Sequence, residues 1–297
     1  MPKNAGPPPR GGLVVVDKPT GMTSHDVVAR VRRLAGTRRV GHAGTLDPMA
    51  TGVLIVGVGR ATRLLGHLSL HDKDYLATAR LGQSTDTDDA EGKLIEARPS
   101  SGVSAEAIAD AVRDLVGDIE QRPPGISAIK VEGKRAYARV RAGEDVVLAP
   151  RRVHVERFEI LGVRPHDDVI DVDFEVRCSS GTYVRALARD LGASLGVGGH
   201  LTALRRTRVG GFDLTRACPL EALESAFELI ALDDAAAAAF ARRDLDAADA
   251  ARLATGGRLT SSGVAGEPVA AFGPDGTFIA LLEDRGETAY PIAVFVG

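Results

Sequence analysis

Residues 169–178 read Val-Ile-Asp-Val-Asp-Phe-Glu-Val-Arg-Cys, and this stretch decides the fold class. Apolar side chains occupy every second position from Ile170 to Cys178, and charged side chains occupy the positions between them. A period of two is typical of a β-strand with one face in the core and the other in solvent. The stretch therefore predicts a half-buried strand over 169–178.

Other strands and helices alternate on both sides of this strand. Short apolar runs predict further strands at 12–16, 53–58, 75–81, 268–272, 277–282 and 292–296. Helical spacing predicts a helix that begins near Ser24 and ends at Gly36, and others at 104–116, 183–195, 219–229 and 244–254. Three glycines and a proline predict a loop over 41–52. This interleaving indicates a mixed α/β (α+β) catalytic domain followed by a small β-rich module.

Composition excludes several classes of protein. The 297 residues are 44% hydrophobic and 26% charged, with a mean hydropathy of −0.01, as in a soluble globular protein. The apolar runs are too short to span a membrane. Residues 1–10 contain three consecutive prolines and predict a disordered tail rather than a signal peptide. The two cysteines, Cys178 and Cys218, form no CxxC pair, so we expect a cytoplasmic protein without a disulfide or zinc site.

The charge is divided unevenly along the chain. Residues 1–215 carry 31 Lys and Arg against 27 Asp and Glu, whereas residues 216–297 carry 6 against 13. The change follows the arginine-rich run over 204–208. We therefore predict two domains, 11–215 and 216–297, with any surface for a polyanion on the first. An asymmetry without a charged partner is the plainer alternative.

Two short motifs resemble known sites but lack the required context. Residues 57–62, GVGRAT, begin like a dinucleotide-binding turn, but a threonine replaces the third glycine. Residues 192–196, GASLG, match the pattern of a hydrolase nucleophile, but they end a predicted helix instead of opening one. Neither motif predicts a function here.

The segment over 41–52, GHAGTLDPMATG, carries the candidate chemistry. Pro48 favours an extended backbone at Asp47 and so fixes where its carboxylate points. Tyr75 begins a predicted strand, and Arg185 lies in the first turn of a predicted helix. An arginine beside the carboxylate would hold it ionised, and a tyrosine ring can stack on a base. A tight loop with a purely structural aspartate is the alternative reading of this segment.

Four blocks together resemble one family. Asp17–Asp26, Gly41–Arg63, Gly181–Gly192 and His200–Gly210 closely resemble, in order, the motifs of the TruB family of tRNA pseudouridine-55 synthases. The resemblance implies a pseudouridine-synthase fold with a central, mostly antiparallel sheet and a C-terminal PUA-like β-rich domain. It implies isomerisation of a uridine in the T-loop of tRNA after base flipping, without cofactor or metal. We expect a monomer that binds the T-arm and no membrane.

The resemblance also assigns roles to residues. It makes Asp47 the catalytic aspartate and Arg185 its ion-pair partner. It also places Tyr75 among the catalytic residues, as the ring stacked on the target base and a candidate for the proton acceptor at C5. The remaining substrate-binding positions are His42, Tyr183 and Leu204. Tyr75 and Leu204 could instead be ordinary core residues. Lys18 is more consistent with an anchor for a loop than with a catalyst.

Residues 122–152 are predicted to be a basic flap that binds RNA. Eight Lys and Arg oppose three acidic residues there, and a solvated surface is the alternative. The RNA-contact candidates are Lys130, Arg135, Arg139 and Arg141.

Three rival functions remain. The protein could be a non-catalytic RNA-binding protein, a tRNA chaperone or another RNA-modifying enzyme such as a methyltransferase. The sequence leaves open whether an adduct forms at the ribose or the base, or whether a sugar proton is removed first.

Overall fold

The computed structural model describes residues 11–125, 130–131, 134–135, 148–264 and 266–296. The tail over 1–10 and two of the RNA-contact candidates, Arg139 and Arg141, lie outside the described residues. Lys130 and Arg135 belong to two short paired strands, and the rest of the predicted flap between 126 and 147 is not described.

Twenty strands and seven α-helices are described. The strands are β1 (Gly12–Lys18), β2 (Val40–Ala43), β3 (Thr51–Val58), β4 (Lys73–Leu81), β5 (Gln83–Thr85), β6 (Leu94–Ala97), β7 (Gly117–Gln121), β8 (Lys130–Val131), β9 (Lys134–Arg135), β10 (Arg151–His166), β11 (Val169–Cys178), β12 (Gly199–Val209), β13 (Phe212–Asp213), β14 (Cys218–Pro219), β15 (Ile230–Ala231), β16 (Ala241–Asp244), β17 (Leu259–Thr260), β18 (Val269–Phe272), β19 (Phe278–Arg285) and β20 (Thr288–Val294). The helices are α1 (Ser24–Ala35), α2 (Leu65–Leu68), α3 (Ala105–Arg113), α4 (Val184–Ser194), α5 (Leu220–Ser225), α6 (Leu232–Ala239) and α7 (Ala247–Ala254), with 3₁₀ turns at Gly59–Arg63 and Leu214–Arg216.

A large mixed sheet of 11 strands organises the molecule. Its main path runs β14-β1-β3-β12-β4-β11-β10-β7, and off this path β2 pairs with β3, β13 with β12 and β15 with β1. Its pairings are antiparallel except for β1 with β14 and β3 with β12. This confirms the predicted mixed fold with a mostly antiparallel sheet. It also confirms the strand over 169–178, whose alternate side chains from Ile170 to Cys178 are buried.

Helices cover one face of this sheet and form the main core. Helix α1 begins at Thr23, whose side chain accepts a hydrogen bond from the Asp26 N–H, and it ends at Gly36 in the left-handed conformation. Its buried valines pack with residues of α3, α4 and α5 against β1, β3, β4 and β11. The start and end of α1 agree with the sequence prediction.

A second core joins the large sheet to the C-terminal part of the chain, and we call it the shared core. Before residue 216 it contains Leu13, Val15, Ala43, Val53, Ile55, Ala61, Leu64, Leu68, Val209 and Phe212. After residue 216 it contains Leu232, Ala235, Ala236, Phe240, Ala270, Phe272, Phe278, Leu281 and Phe295. The two halves of the chain therefore meet through apolar side chains. This apolar contact differs from the modest, more polar interface that is typical of two domains in one chain.

The C-terminal part is rich in β-structure, as predicted. A five-stranded sheet has the order β16-β18-β19-β20-β17. The large sheet, however, continues beyond residue 216, because β14 and β15 both pair with β1. Among the residues that the structure describes, no helix is long and apolar enough to cross a membrane.

Candidate active site

Asp47 lies in a short loop between β2 and β3, which we call the Asp47 loop (residues 44–50). The sequence predicted a loop over all of 41–52, but residues 41–43 belong to β2 and residue 51 begins β3. Glycine density concealed β2, whose partner β3 supplies a long-range antiparallel pairing. The loop is therefore a tight connection between two paired strands, and its ends are fixed by the sheet.

The structure brings Asp47 and Arg185 together across 138 residues of sequence. Arg185 Nε donates to Asp47 Oδ2 at 3.0 Å, and Nη2 lies 3.5 Å from Oδ1. The arginine side chain is only 5% exposed, while that of Asp47 is 32% exposed. The buried guanidinium thus balances the charge of the Asp47 carboxylate. Part of this carboxylate faces solvent, where a substrate can reach it.

A second carboxylate, which sequence reasoning missed, shares Arg185. Asp89 Oδ2 lies 3.5 Å from Arg185 Nη1, which also donates to the Thr87 carbonyl at 2.7 Å. Asp89 is itself 6% exposed and accepts hydrogen bonds from the Thr87 hydroxyl and the Glu91 N–H. The guanidinium is therefore held from two sides. The acidic run at 86–89 was a signal for this site, but its spacing does not indicate which carboxylate faces inward.

Lys18 anchors the Asp47 loop from β1. Its ammonium group donates to the carbonyls of Pro48, Met22 and Pro19 at 3.2, 2.7 and 2.9 Å. Burial lowers the pKa of Lys18 to about 8, although the nearby Asp47 carboxylate opposes this shift. These contacts agree with the expectation of a loop-anchoring lysine.

Ser24, at the start of α1, anchors the preceding residue of the loop. Its hydroxyl donates to the Leu46 carbonyl at 3.0 Å and accepts from the Leu46 N–H at 2.9 Å. Both backbone groups of Leu46, the neighbour of Asp47, are therefore satisfied by one buried side chain. The N-terminus of α1 and the candidate catalytic residue are fixed to each other.

Tyr75 and Leu204 both lie in the main core beside the loop. Tyr75 is on β4 and Leu204 on β12, and they share a cluster with Leu46 and Ala50 of the loop. Burial raises the pKa of Tyr75 to about 12, against the opposing effect of Arg206. At neutral pH the phenol is therefore protonated, and Tyr75 presents a neutral ring and hydroxyl.

His42 and Tyr183 lie at the edges of this region. His42, on β2, packs edge-to-face against His25 with ring centroids 5.5 Å apart. Tyr183 precedes α4, and its backbone N–H and carbonyl are both bonded by the buried amide of Gln121, at 2.8 and 3.1 Å. Gln121 therefore fixes the start of the helix that carries Arg185.

In the described part of the chain, no group of three or more His, Cys, Asp or Glu is placed to bind a metal ion. The chemistry that the arrangement can supply is that of one partly exposed carboxylate with a buried guanidinium beside it. A neutral aromatic ring and an aliphatic side chain lie in the same region of the core. The ring and the aliphatic side chain can hold a nucleobase, and the carboxylate can act on the nucleoside that carries it.

Comparisons with known proteins identify the family. Residues 32–184 match the N-terminal domain of the TruB family pseudouridylate synthases. Residues 185–247 and 240–296 match two C-terminal domains of tRNA pseudouridine synthase B and tRNA pseudouridine synthase II.

Among curated proteins, the chain is 58% identical over 290 residues to tRNA pseudouridine synthase B of Thermobifida fusca, covering 96% of this chain and 99% of that one. It is 59% identical over 280 residues to the protein of the same name from Cutibacterium acnes, covering 94% and 95%. Among solved structures, a chain of a Cbf5-Nop10-Gar1 complex aligns with a TM-score of 0.72 and 27% identity, covering 96% of this chain and 85% of that one. The chain therefore belongs to the TruB family of pseudouridylate synthases.

Proposed function

We propose that the chain converts the uridine at position 55, in the T-loop of tRNA, to pseudouridine. Family membership makes it a pseudouridine synthase, and the relatives at 58–59% identity are named for tRNA. The observation that carries the proposal is the partly exposed Asp47 carboxylate bound by the buried Arg185. A protein that only binds RNA needs no carboxylate at this position, because a negative charge repels phosphates.

The reaction is an isomerisation, so substrate and product have the same composition. The bond between C1′ of the ribose and N1 of uracil breaks, the base turns, and C5 bonds to C1′. C5 then loses its proton, and N1 gains one. No atom is oxidised or reduced, so the chemistry requires no redox cofactor. Attack at the ribose, attack at the base and removal of a sugar proton all begin with a charged carboxylate, which is the role we assign to Asp47.

The target base must leave the stack of the T-loop before Asp47 can reach it. We assign Tyr75 to stack on the extruded uracil, since its phenol is neutral and its ring lies beside the Asp47 loop. Leu204 and Tyr183 complete the base-binding site, and His42 holds the RNA loop where the base has left. Burial raises the pKa of Tyr75 to about 12, so its hydroxyl is protonated at neutral pH and the ring that stacks on the base is neutral.

The other parts of the chain serve tRNA binding. We assign catalysis to residues 11–215, phosphate contacts to the basic flap over 122–152, and a supporting role to residues 216–297. All the assigned catalytic residues come from one chain, so a monomer can act on one tRNA. Its place of action is the cytoplasm, where bacterial tRNA is made.

Tritium release from tRNA carrying [5-³H]uridine tests the proposal, because C5 loses its hydrogen only when pseudouridine forms. We expect one equivalent of tritium per tRNA with the wild type and none with Asp47→Asn or Asp47→Ala, while tRNA binding is retained. Carbodiimide mapping should place the product at position 55, and a tRNA with cytidine at that position should release nothing. Release by Asp47→Asn at the wild-type rate would exclude Asp47 as the catalytic residue.

A further inference from the structure

Arg206 is the largest fully buried side chain in the described part of the protein, and it binds the backbone on either side of the Asp47 loop. It lies on β12 and is 1% exposed. Its guanidinium donates to the Val53 carbonyl at 2.7 Å, to Gly44 at 3.2 Å and to Thr45 at 3.3 Å. The planar guanidinium of Arg206 therefore links the first two residues of the Asp47 loop to β3, the strand that follows the loop.

The same side chain is also a neighbour of Tyr75. Arg206 lies directly opposite Tyr75 in the pairing of β12 with β4, so the two side chains project from the same face of the sheet. On its other side, Arg206 pairs with Gly52 of β3. A Cβ atom on Gly52 would lie 2.1 Å from the Arg206 carbonyl oxygen, so glycine permits this close approach. Arg206 is thus the side chain that connects the Asp47 loop with Tyr75.

Stability alone does not account for a buried cation at this position. Removing a guanidinium from water is unfavourable, and its hydrogen bonds to the three carbonyls have to offset that cost. A planar group with five donors has a different advantage, because it fixes several acceptors at set distances and angles. Here the acceptors are carbonyls that begin and follow the Asp47 loop, and the residue paired with Arg206 on β4 is Tyr75.

We propose that Arg206 is a positioning residue that sets the Asp47 loop and the Tyr75 ring relative to each other. The inference rests on the proposed function, in which Asp47 acts on the nucleoside and Tyr75 stacks on its base. Arg206 does not contact the substrate. It acts by fixing the distance between the carboxylate and the base, and an error of about 1 Å in such a distance costs on the order of 100-fold in rate.

The first experiment compares Arg206→Met and Arg206→Lys with the wild type by tritium release. We expect Arg206→Met to lower kcat about 100-fold, with KM for tRNA changed less than about threefold. Arg206→Lys keeps the charge but loses the fork, and we expect a fall in kcat of about 10-fold. The matched control is Arg208→Met, because Arg208 lies on the same strand but pairs with Asp74 and not with the loop. If Arg206→Met does not melt cooperatively, the test rests on Arg206→Lys. A kcat of Arg206→Lys within about threefold of wild type would then overturn the proposal.

A double-mutant cycle with Tyr75→Phe tests the link between the two parts of the site. If Arg206 holds the tyrosine hydroxyl, the decrease in kcat from Tyr75→Phe should be several-fold in the wild type and absent in Arg206→Lys. Equal decreases in both backgrounds would refute the link. Hydrogen exchange of the peptide over 41–56 gives a readout that needs no activity, and it should be faster in Arg206→Lys than in Arg208→Met. Failure of the wild type to form pseudouridine would refute the proposed function, whereas exchange unchanged by Arg206→Lys would refute this inference.

Discussion

Removing residues 216–297 is expected to unfold the catalytic part of the chain. The cut takes away β14 and β15, which pair with β1, and every C-terminal side chain of the shared core. Eight large apolar side chains of the catalytic part then face water. At about 1.5–3 kcal/mol for each, their exposure costs roughly 12–24 kcal/mol. A typical domain is stable by only about 5–15 kcal/mol, so the fragment should not fold.

The assay is expression of residues 1–215 followed by size-exclusion chromatography and a thermal melt recorded by circular dichroism. We expect insoluble or aggregated protein with no cooperative transition. Co-expression with residues 216–297 as a separate chain should restore solubility if the shared core can assemble. A soluble fragment that melts cooperatively within about 5 °C of the full chain would refute the reasoning, because a shift that small corresponds to only about 1–2.5 kcal/mol in a fragment of this size.

Two neighbouring residues of β19 provide a sharper control. Leu281 belongs to the shared core, whereas Leu282 belongs to the separate core of the C-terminal sheet. Both are at most 1% exposed, and replacement by alanine should cost about 2–5 kcal/mol in either case. Only Leu281→Ala should also lower the temperature at which catalytic activity is lost. Equal effects of both variants on activity would show that the shared core is not what couples the two parts.

Three further predictions follow from the site and its surroundings. Arg185→Lys removes the two-pronged interaction with Asp47 and should lower kcat about 100-fold with little change in KM, measured by tritium release. Replacing the exposed Arg151 and Arg152 by glutamine should weaken tRNA binding and reduce the slope of log K against log salt by about 0.9 for each phosphate that is no longer neutralised. Burial lowers the pKa values of Lys18 and Lys73 to about 8, below their usual 10.5, so the unfolded chain binds more protons above pH 8. The free energy of unfolding should therefore rise between about pH 8 and pH 9, before the buried thiol and phenol titrate in the unfolded chain, and Lys18→Met should reduce that rise in urea titrations.

Local sequence patterns were sufficient to predict those helices and strands whose own residues carry the full pattern. Helix α1 has both caps and a valine stripe, and β11 has strict alternation, so each was predicted close to its observed bounds. Strand β2 was missed because glycines and a proline surround it and its stability comes from pairing with β3. Helix α6 was missed because its run of alanines has no polar face to set a period. Strand β10 was missed because register shifts interrupt its alternation.

The candidate site depends on contacts between residues that are far apart in the sequence, and the spacing of residues within a motif does not predict such contacts. Asp47 and Arg185 are 138 residues apart, and their association was inferred from the family resemblance. The contact of Asp89 with Arg185 follows from the turn over 86–89, where Asp88 has a positive φ of 60°. Which of several adjacent carboxylates points inward is decided by that backbone conformation. A sequence without relatives would have given the residue types of this site but not their arrangement.

The arginine-rich run over 204–208 shows why a count of charges does not locate an RNA-binding surface. Arg205 forms a two-pronged ion pair with Asp17, at 2.7 and 3.0 Å, and Arg208 forms another with Asp74. Arg206 binds backbone carbonyls in the interior. All three arginines are therefore used within the protein, although the run marks the point where the charge of the chain changes sign. Arg151 and Arg152, which are exposed on β10, are therefore better targets than this run in tests of tRNA affinity.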